Sequence, residues 1–417
     1  METTSSALIT NDAVILGLLA VTLGAVFYTS SSPRPAFRTF YKYVPSLLLC
    51  YFIPSLFNTF GLIDAEGSRL YYMASRYLLP ATLVLLTLSI DLRGILALGP
   101  KALVMFLTGT LGIILGGPLA ILLFSVVSPE TVGGAGPDAV WRGLTTIAGS
   151  WIGGGANQAA MKEVFAVSDT VFSSMVAVDI LVANVWLAVL LFMASRAEGI
   201  DARLGADTSA IDDLRVRVTE FRERHARIPT VADLMILVAI GFGLMGLSHF
   251  LADPLAAWFA RTMPALERYS LTSPFFWLVV FATTAGLVLS FTRARELEGV
   301  GASTLGTGML YILIATIGMT MDIAAVVERP GLFLLGAVWL GIHALLLLIV
   351  GRLIKAPTFY LAVGSQANVG GAASAPVVAT AFHPSLAPVG VLLAVLGYAI
   401  GTYGAWICGQ LMRIVSE

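Results

Sequence analysis

Residues 149–162 read GSWIGGGANQAAMK, and residues 364–374 read GSQANVGGAAS. Glycine weakens a helix, and polar amides are costly in lipid. Both segments nevertheless stand in long apolar surroundings. What they do there decides how the chain folds.

Of 417 residues, 58% are hydrophobic and 12% charged, and the mean hydropathy is +0.89. Soluble domains carry about 25% charged residues, so the balance points to an all-α polytopic membrane protein. The net charge of −1 gives no sign of a nucleic-acid partner. Cys50 and Cys408 lie in apolar runs and read as free core thiols. The four histidines are scattered and no CxxC or HExxH occurs, which argues against zinc. METTSSALITND lacks a basic leader, so the apolar run after it reads as a retained span.

A membrane-crossing helix needs about 20 apolar residues. Ten runs qualify: 11–29, 43–62, 71–92, 102–127, 171–195, 230–252, 274–292, 304–326, 331–351 and 386–411. The segments 143–167 and 357–381 are only semi-apolar. A polar stretch, 196–227, carries seven arginines and seven acids and divides the chain nearly in half. The expected organisation is therefore a first repeat over 1–195, a charged cytoplasmic linker over 196–228 and a second repeat over 229–417.

LTLSIDLRG (86–94) matches GMTMDIAAV (318–326), which sets Asp91 against Asp322. In each half a proline, an apolar span and a glycine segment follow. The offset is 231 residues at the aspartates and 216 from Gly154 to Gly370; the longer first-half loop, SPETVGGAGPDAVWR, accounts for the difference. If the glycine segments enter and leave the membrane on one side, each half has five spans and the repeats are inverted. That arrangement puts sixteen basic residues on the linker side and seven on the other. The positive-inside rule then makes the linker cytoplasmic.

Irregular backbone survives at membrane depth only where protein or a watery cavity covers it. Gly153, Gly154 and Gly155, and Gly370 and Gly371, can break helices there and free backbone groups for a solute or an ion. Ser150, Asn157, Gln158, Ser365, Gln366, Asn368 and Ser374 add hydroxyls and amides, completing the expected substrate site. Asp179, Asn184 and Thr402 are the candidates for ion coupling, with sodium or a proton as the ion and no other cofactor. A rival account of the glycines is close helix packing, as in GxxxG contacts. Asp91 and Asp322 suit span-end markers, ion ligands or an intramembrane aspartyl hydrolase, although the glycine-flanked context of such an enzyme is missing. Lys162 and Glu163 suggest a local pair. His343 reads as a hydrogen-bonded packing residue. Ile211, Leu214, Val218 and Phe221 suggest an amphipathic linker helix, and 253–271 a separate interfacial one.

GSWIGGGANQAAMKEVF, VAVDILVANVW and GSQANVGGAASAPVVATAF together resemble the YjcL-type family of uncharacterised bacterial integral membrane proteins. More distantly, paired glycine-rich re-entrant segments in five-span inverted halves are similar to the glutamate:sodium symporter and 2-hydroxycarboxylate transporter group. That likeness implies re-entrant segments that hold substrate and sodium, an elevator-type transport domain and a dimeric scaffold. It does not extend to the symporter's own glycine motif, so glutamate specificity is not implied. The expected function is secondary transport of a small organic anion or zwitterion across the bacterial inner membrane, coupled to sodium or protons. An intramembrane hydrolase and a passive channel are the alternatives.

Overall fold

A computed structural model describes residues 7–206, 228–321, 329–383 and 386–417. Asp322 and the expected amphipathic linker helix lie outside these residues. The described chain is helical throughout, with one isolated bridge between Ile9 and Ile63.

The helices of the first half are α1 (Asp12–Ser30), α2 (Pro35–Tyr43), α3 (Ser46–Thr59), α4 (Leu70–Met73), α5 (Leu79–Leu88), α6 (Leu92–Ala97), α7 (Pro100–Val127), α8 (Pro129–Val132), α9 (Val140–Val164), α10 (Asp169–Ala194) and α11 (Ala197–Leu204). A π turn, Ala74–Leu78, joins α4 to α5. The second half supplies α12 (Val231–Thr262), α13 (Pro274–Ser290), α14 (Ala302–Gly318), α15 (Gly331–Leu353), α16 (Thr358–Val369), α17 (Gly371–Phe382) and α18 (Ala387–Ser416).

Among the described residues, six helices are long and apolar enough to cross a membrane: α1, α7, α10, α12, α15 and the 389–416 part of α18. The other four apolar runs form shorter or interrupted helices: α3, the α4–π–α5 segment, α13 and α14. The expected separate helix over 253–271 is not formed. Residues 253–262 continue α12, and a 3₁₀ segment, Pro264–Tyr269, follows. The run after Asp253 has enough helix formers to extend α12 past Pro254, which membrane helices tolerate when the freed backbone groups are re-satisfied locally.

Local chemistry fixes several ends. Asn11 caps α1 and Ser168 caps α10, while Thr230 and Asp233 form a capping box at α12. Asp91 caps α6 and also binds Arg295 at 2.5 Å. These contacts give Asp91 a structural role.

Gly154 interrupts α9, with φ 73° and ψ −176°, a conformation open essentially only to glycine. The chain reverses there. Arg142 Nη1 donates to the Phe165 carbonyl at 2.6 Å, although 23 residues of straight helix would span about 35 Å. The rings of Trp141 and Phe165 lie 5.9 Å apart. The second glycine segment reverses in the same way. Gly371 has φ 58°, Gln366 Nε2 donates to Ser374 Oγ at 2.7 Å, and the Phe359 and Phe382 rings are 5.3 Å apart. Residues 140–164 and 358–382 are thus two helical hairpins, each with a glycine at its tip.

Their bases lie at opposite ends of α10. Ser168, which begins α10, donates its N–H to Pro137 beside the first base. Beyond its other end, Asp201 accepts from the Thr358 N–H and hydroxyl at 2.8 and 2.6 Å, at the second base. Helix α18 runs the other way, from the second base to Phe165 at the first, where a Cβ at Gly409 would come within 2.4 Å of the ring. Helices α7 and α15 pack antiparallel beside the hairpins: Lys101 Nζ reaches the Lys355 carbonyl, and Gly331 abuts Thr131. The remaining layer comprises α1, α3, α5, α12, α13 and α14. Small residues bring its backbones together, with Gly286 against Val84 and Gly318 against Tyr51.

Candidate functional site

The hairpin tips meet inside this frame. A Cβ placed on Gly371 would stand 4.0 Å from the Gly154 Cα. The second arm of each hairpin therefore begins at the same place. Gly370 provides no side-chain cap for α17. Two helix N-termini, with their free N–H groups and positive dipole ends, converge there. Gly154, Gly155, Gly370, Ala372 and Ser374 are partly exposed and Ala373 is exposed, while the first arms below are buried.

The three consecutive glycines have three different tasks. Gly153 allows backbone contact with α18: its Cβ would lie 2.7 Å from the Gly401 Cα, and a Cβ at Gly401 2.5 Å from the Gly153 Cα. Here the packing account is right. Gly154 turns the chain. Gly155 has room for a side chain, with Leu310 and Ile314 at an ordinary contact distance of 3.8–3.9 Å from a built Cβ.

Two asparagines hold the hairpins with matching bonds. Asn157 Nδ2 donates to the Gly153 and Tyr398 carbonyls at 2.9 and 3.1 Å, and its Oδ1 accepts from Thr402 at 2.6 Å. Asn368 Nδ2 donates to the Gly364 and Phe106 carbonyls, both at 3.0 Å, and its Oδ1 accepts from Thr110 at 2.8 Å. Each amide satisfies its own i−4 carbonyl plus a carbonyl and hydroxyl one turn apart on a neighbour.

Asp179 lies buried on α10 against the first hairpin. It accepts from Trp151 Nε1 at 2.7 Å and Gln158 Nε2 at 2.9 Å. Ser150 lies near the same carboxylate. Since Trp151 and Gln158 sit on different arms, the carboxylate fastens one arm to the other. Gln158 Oε1 also accepts from Tyr51 on α3, at 3.3 Å, which links the hairpin to the other layer. On the second hairpin, Ser365 bonds to Trp186 of α10 and His343 of α15, both at 2.8 Å. His343 Nδ1 contacts the Gly109 carbonyl. Gln366 is buried and its Oε1 has no partner among the described residues.

The expected substrate residues are therefore gathered around the two tips. The three ion-coupling candidates are not gathered. Thr402 is committed to Asn157 on one flank, Asp179 lies on the other, and Asn184 donates to the Ile180 carbonyl of its own helix. Lys162 and Glu163 do not pair with each other. Lys162 binds Asp169 at 2.6 Å, and Glu163 binds Arg76 at 2.7 Å and the Tyr71 hydroxyl. Adjacent helix positions point in different directions, so partners from other elements win. Tyr51, Thr110, Trp151 and Trp186 are the participants sequence reasoning missed. Only their polar atoms, an aliphatic hydroxyl, a phenol and two indoles in apolar helices, could have flagged them.

Two cavities lie apart from the tips. One of about 510 Å³ runs between α1 and α14 and reaches Tyr311. The other, about 500 Å³, is lined by Glu130, Arg329 and neighbouring residues near the first base.

Apolar helices long enough to cross a membrane and hairpins turning within a buried interior define an integral multi-pass membrane protein. A family model described as "Protein of unknown function (DUF819)" matches residues 17–415, and the chain belongs to that family. It is also 25% identical, over 367 residues, to the "Uncharacterized membrane protein YjcL" of Bacillus subtilis (strain 168); the match covers 85% of this chain and 86% of that protein. These matches agree with the YjcL-type likeness and lend nothing to the glutamate symporter one.

Proposed function

We propose that the protein is a secondary carrier of a small organic anion or zwitterion, bound where the two hairpin tips meet. The observation that carries this reading is the meeting of the two turning glycines, where a Cβ built on Gly371 would stand 4.0 Å from the Gly154 Cα. It aims two helix N-termini, that of α17 without a side-chain cap, at one partly exposed spot, an arrangement that favours a carboxylate. The unpartnered Gln366 oxygen and the nearby Ser374 add hydrogen-bonding specificity. No catalytic pair is invoked, and the reading is of a carrier rather than an enzyme.

The same reading takes the halves as inverted repeats. In support, the hairpin bases lie at opposite ends of α10, and α10 and α18 each follow a hairpin and pack on both. The hairpins with α7, α10, α15 and α18 would move against the other layer, as in an elevator. Lys101, Arg295 and Lys355 share the linker end with Asp91 and Asp201, whereas Arg76, Arg142 and Arg413 share the other. The positive-inside rule then makes the linker end cytoplasmic in a bacterial inner membrane. Sodium or protons supply the driving gradient, and a homodimer is the expected assembly.

Proteoliposome uptake tests the proposal with a panel of carboxylates, amino acids and short peptides, under imposed sodium or pH gradients. Saturable, gradient-dependent accumulation is expected. Flux without saturation would indicate a channel, and the absence of any gradient-dependent uptake across the panel would overturn the carrier.

A further inference from the structure

The first-hairpin end of the molecule carries a basic cluster with no part in the tip site. Trp406, Gln410 and Arg413 follow 3–4 spacing and so share one stripe of α18. Contacts fix where that stripe faces. Trp406 Nε1 donates to the Tyr269 carbonyl at 3.1 Å, and the Arg413 guanidinium lies 4.9 Å from the Tyr269 ring centroid. Arg268 sits at 4.9 Å from the same ring. Arg142, at the hairpin base, is close enough to Arg413 and Glu417 for both to act on its charge. None of the three arginines forms an ion pair among the described residues.

Gln410 and Arg413 are 7% and 6% exposed. Even so, neither carboxamide atom of Gln410, nor Nε of Arg413, has a hydrogen-bond partner among the described residues. Buried polar groups are rarely left this way, and each exception calls for an explanation. A bare anion would satisfy the arginine. It would leave the Gln410 oxygen, which needs a donor. A group with ionised oxygens beside a hydroxyl answers all three atoms, and the excess positive charge favours it.

We propose that Gln410, Arg413, Arg142 and Arg268 form a binding site for a glycerophosphoryl group. Phosphate oxygens accept from the Arg413 and Arg142 guanidiniums and from the Gln410 amide N–H, while the glycerol hydroxyl donates to the Gln410 carbonyl. The site stands where the last turns of α18 leave the apolar layer, the depth of a lipid headgroup. Phosphatidylglycerol and free glycerol phosphate share this chemistry. The proposal does not depend on the carrier reading.

Thermal unfolding of the purified full-length protein in detergent tests it, titrating phosphatidylglycerol, phosphatidylcholine or glycerol 3-phosphate. Phosphatidylglycerol is expected to raise the midpoint and phosphatidylcholine to leave it unchanged. Arg413→Gln is expected to raise the half-saturating concentration about tenfold, the scale of one charge-assisted bond. Arg268 is exposed and only stacked on a ring, so Arg268→Gln keeps the test open if Arg413→Gln does not fold; it too is expected to weaken binding. The exposed Arg261→Gln, outside the cluster, is expected to bind normally. A shift produced by glycerol 3-phosphate as well assigns the site to a soluble ligand, and a shift with phosphatidylglycerol alone assigns it to lipid. No shift with either, equal shifts with phosphatidylcholine, or unchanged binding in both cluster variants overturns the proposal.

Discussion

Asn157 and Asn368 make the same set of hydrogen bonds in the two hairpins, each to an i−4 carbonyl and to a carbonyl and hydroxyl one turn apart on a neighbouring helix. They do not occupy equivalent places. Asn157 follows its turning glycine and binds α18, whereas Asn368 precedes its own and binds α7. The shared pattern is one solution, used twice, to fastening a hairpin inside an apolar interior.

Replacing either asparagine with leucine keeps the volume and removes three hydrogen bonds, while Thr402 keeps Thr283 as a partner and Thr110 keeps the Phe106 carbonyl. The cost expected is about 1–3 kcal/mol for each of Asn157→Leu and Asn368→Leu, the scale of a few lost hydrogen bonds. Thermal unfolding in detergent checks this. A melting midpoint unchanged in either variant contradicts the clamp.

The glycine triplet separates its three tasks under alanine substitution. Gly155→Ala places a methyl in ordinary contact and improves helix propensity, so stability is expected to hold or rise slightly. Gly154→Ala forces a side chain into a glycine-only conformation and is expected to cost about 1–3 kcal/mol. Gly153→Ala drives a methyl into the Gly401 backbone and is expected to cost about as much through overpacking. On the second hairpin, Gly371→Asn is expected to be milder than Gly371→Val, since asparagine tolerates left-handed backbone. Melting midpoints across this series, with uptake alongside, give the ranking.

Hydropathy made the helices legible, because burial in lipid acts on every residue of a span. Every one of the ten apolar runs contains a helix. The two glycine segments were legible as chain reversals because glycine and amides are so costly there. What stayed hidden is long-range. That Gly153 meets Gly401, or that Gln158 reaches Tyr51, depends on how helices dock, and no local pattern encodes it. Lys162 and Glu163 show the same limit. Their adjacency suggested a pair, yet Asp169 and Arg76 come from other elements and face them directly.

Asp179 holds the first hairpin with a carboxylate that accepts from both arms. Asp179→Asn offers one acceptor and one donor, so one of Trp151 and Gln158 is left facing a donor. Gln158 cannot flip freely, because its oxygen already accepts from Tyr51. The expected loss is about 1–3 kcal/mol. Adding Gln158→Glu moves the carboxylate across the contact. The new carboxylate accepts from Tyr51 and from the amide introduced on α10, while the oxygen of that amide accepts from Trp151. The double variant is therefore expected to be more stable than Asp179→Asn alone, and a double-mutant cycle measures the coupling. Additive losses would rule out the bond between Asp179 and Gln158 as the link between the arms.

Opposite placement of the hairpin bases has a direct chemical readout. Asp138, beside the first base, and Ala381, beside the second, are both exposed, while the two native cysteines are free and buried. Asp138→Cys and Ala381→Cys introduced singly report each base without disturbing either tip. A membrane-impermeant maleimide added to intact cells is expected to label the Asp138→Cys variant and spare the Ala381→Cys variant, with the preference reversed in inside-out vesicles. The direction follows from the basic residues gathered at the linker end. Labelling of both variants from one face would remove the opposed hairpins, and with them the geometry that brings Gly154 to Gly371 across the membrane interior.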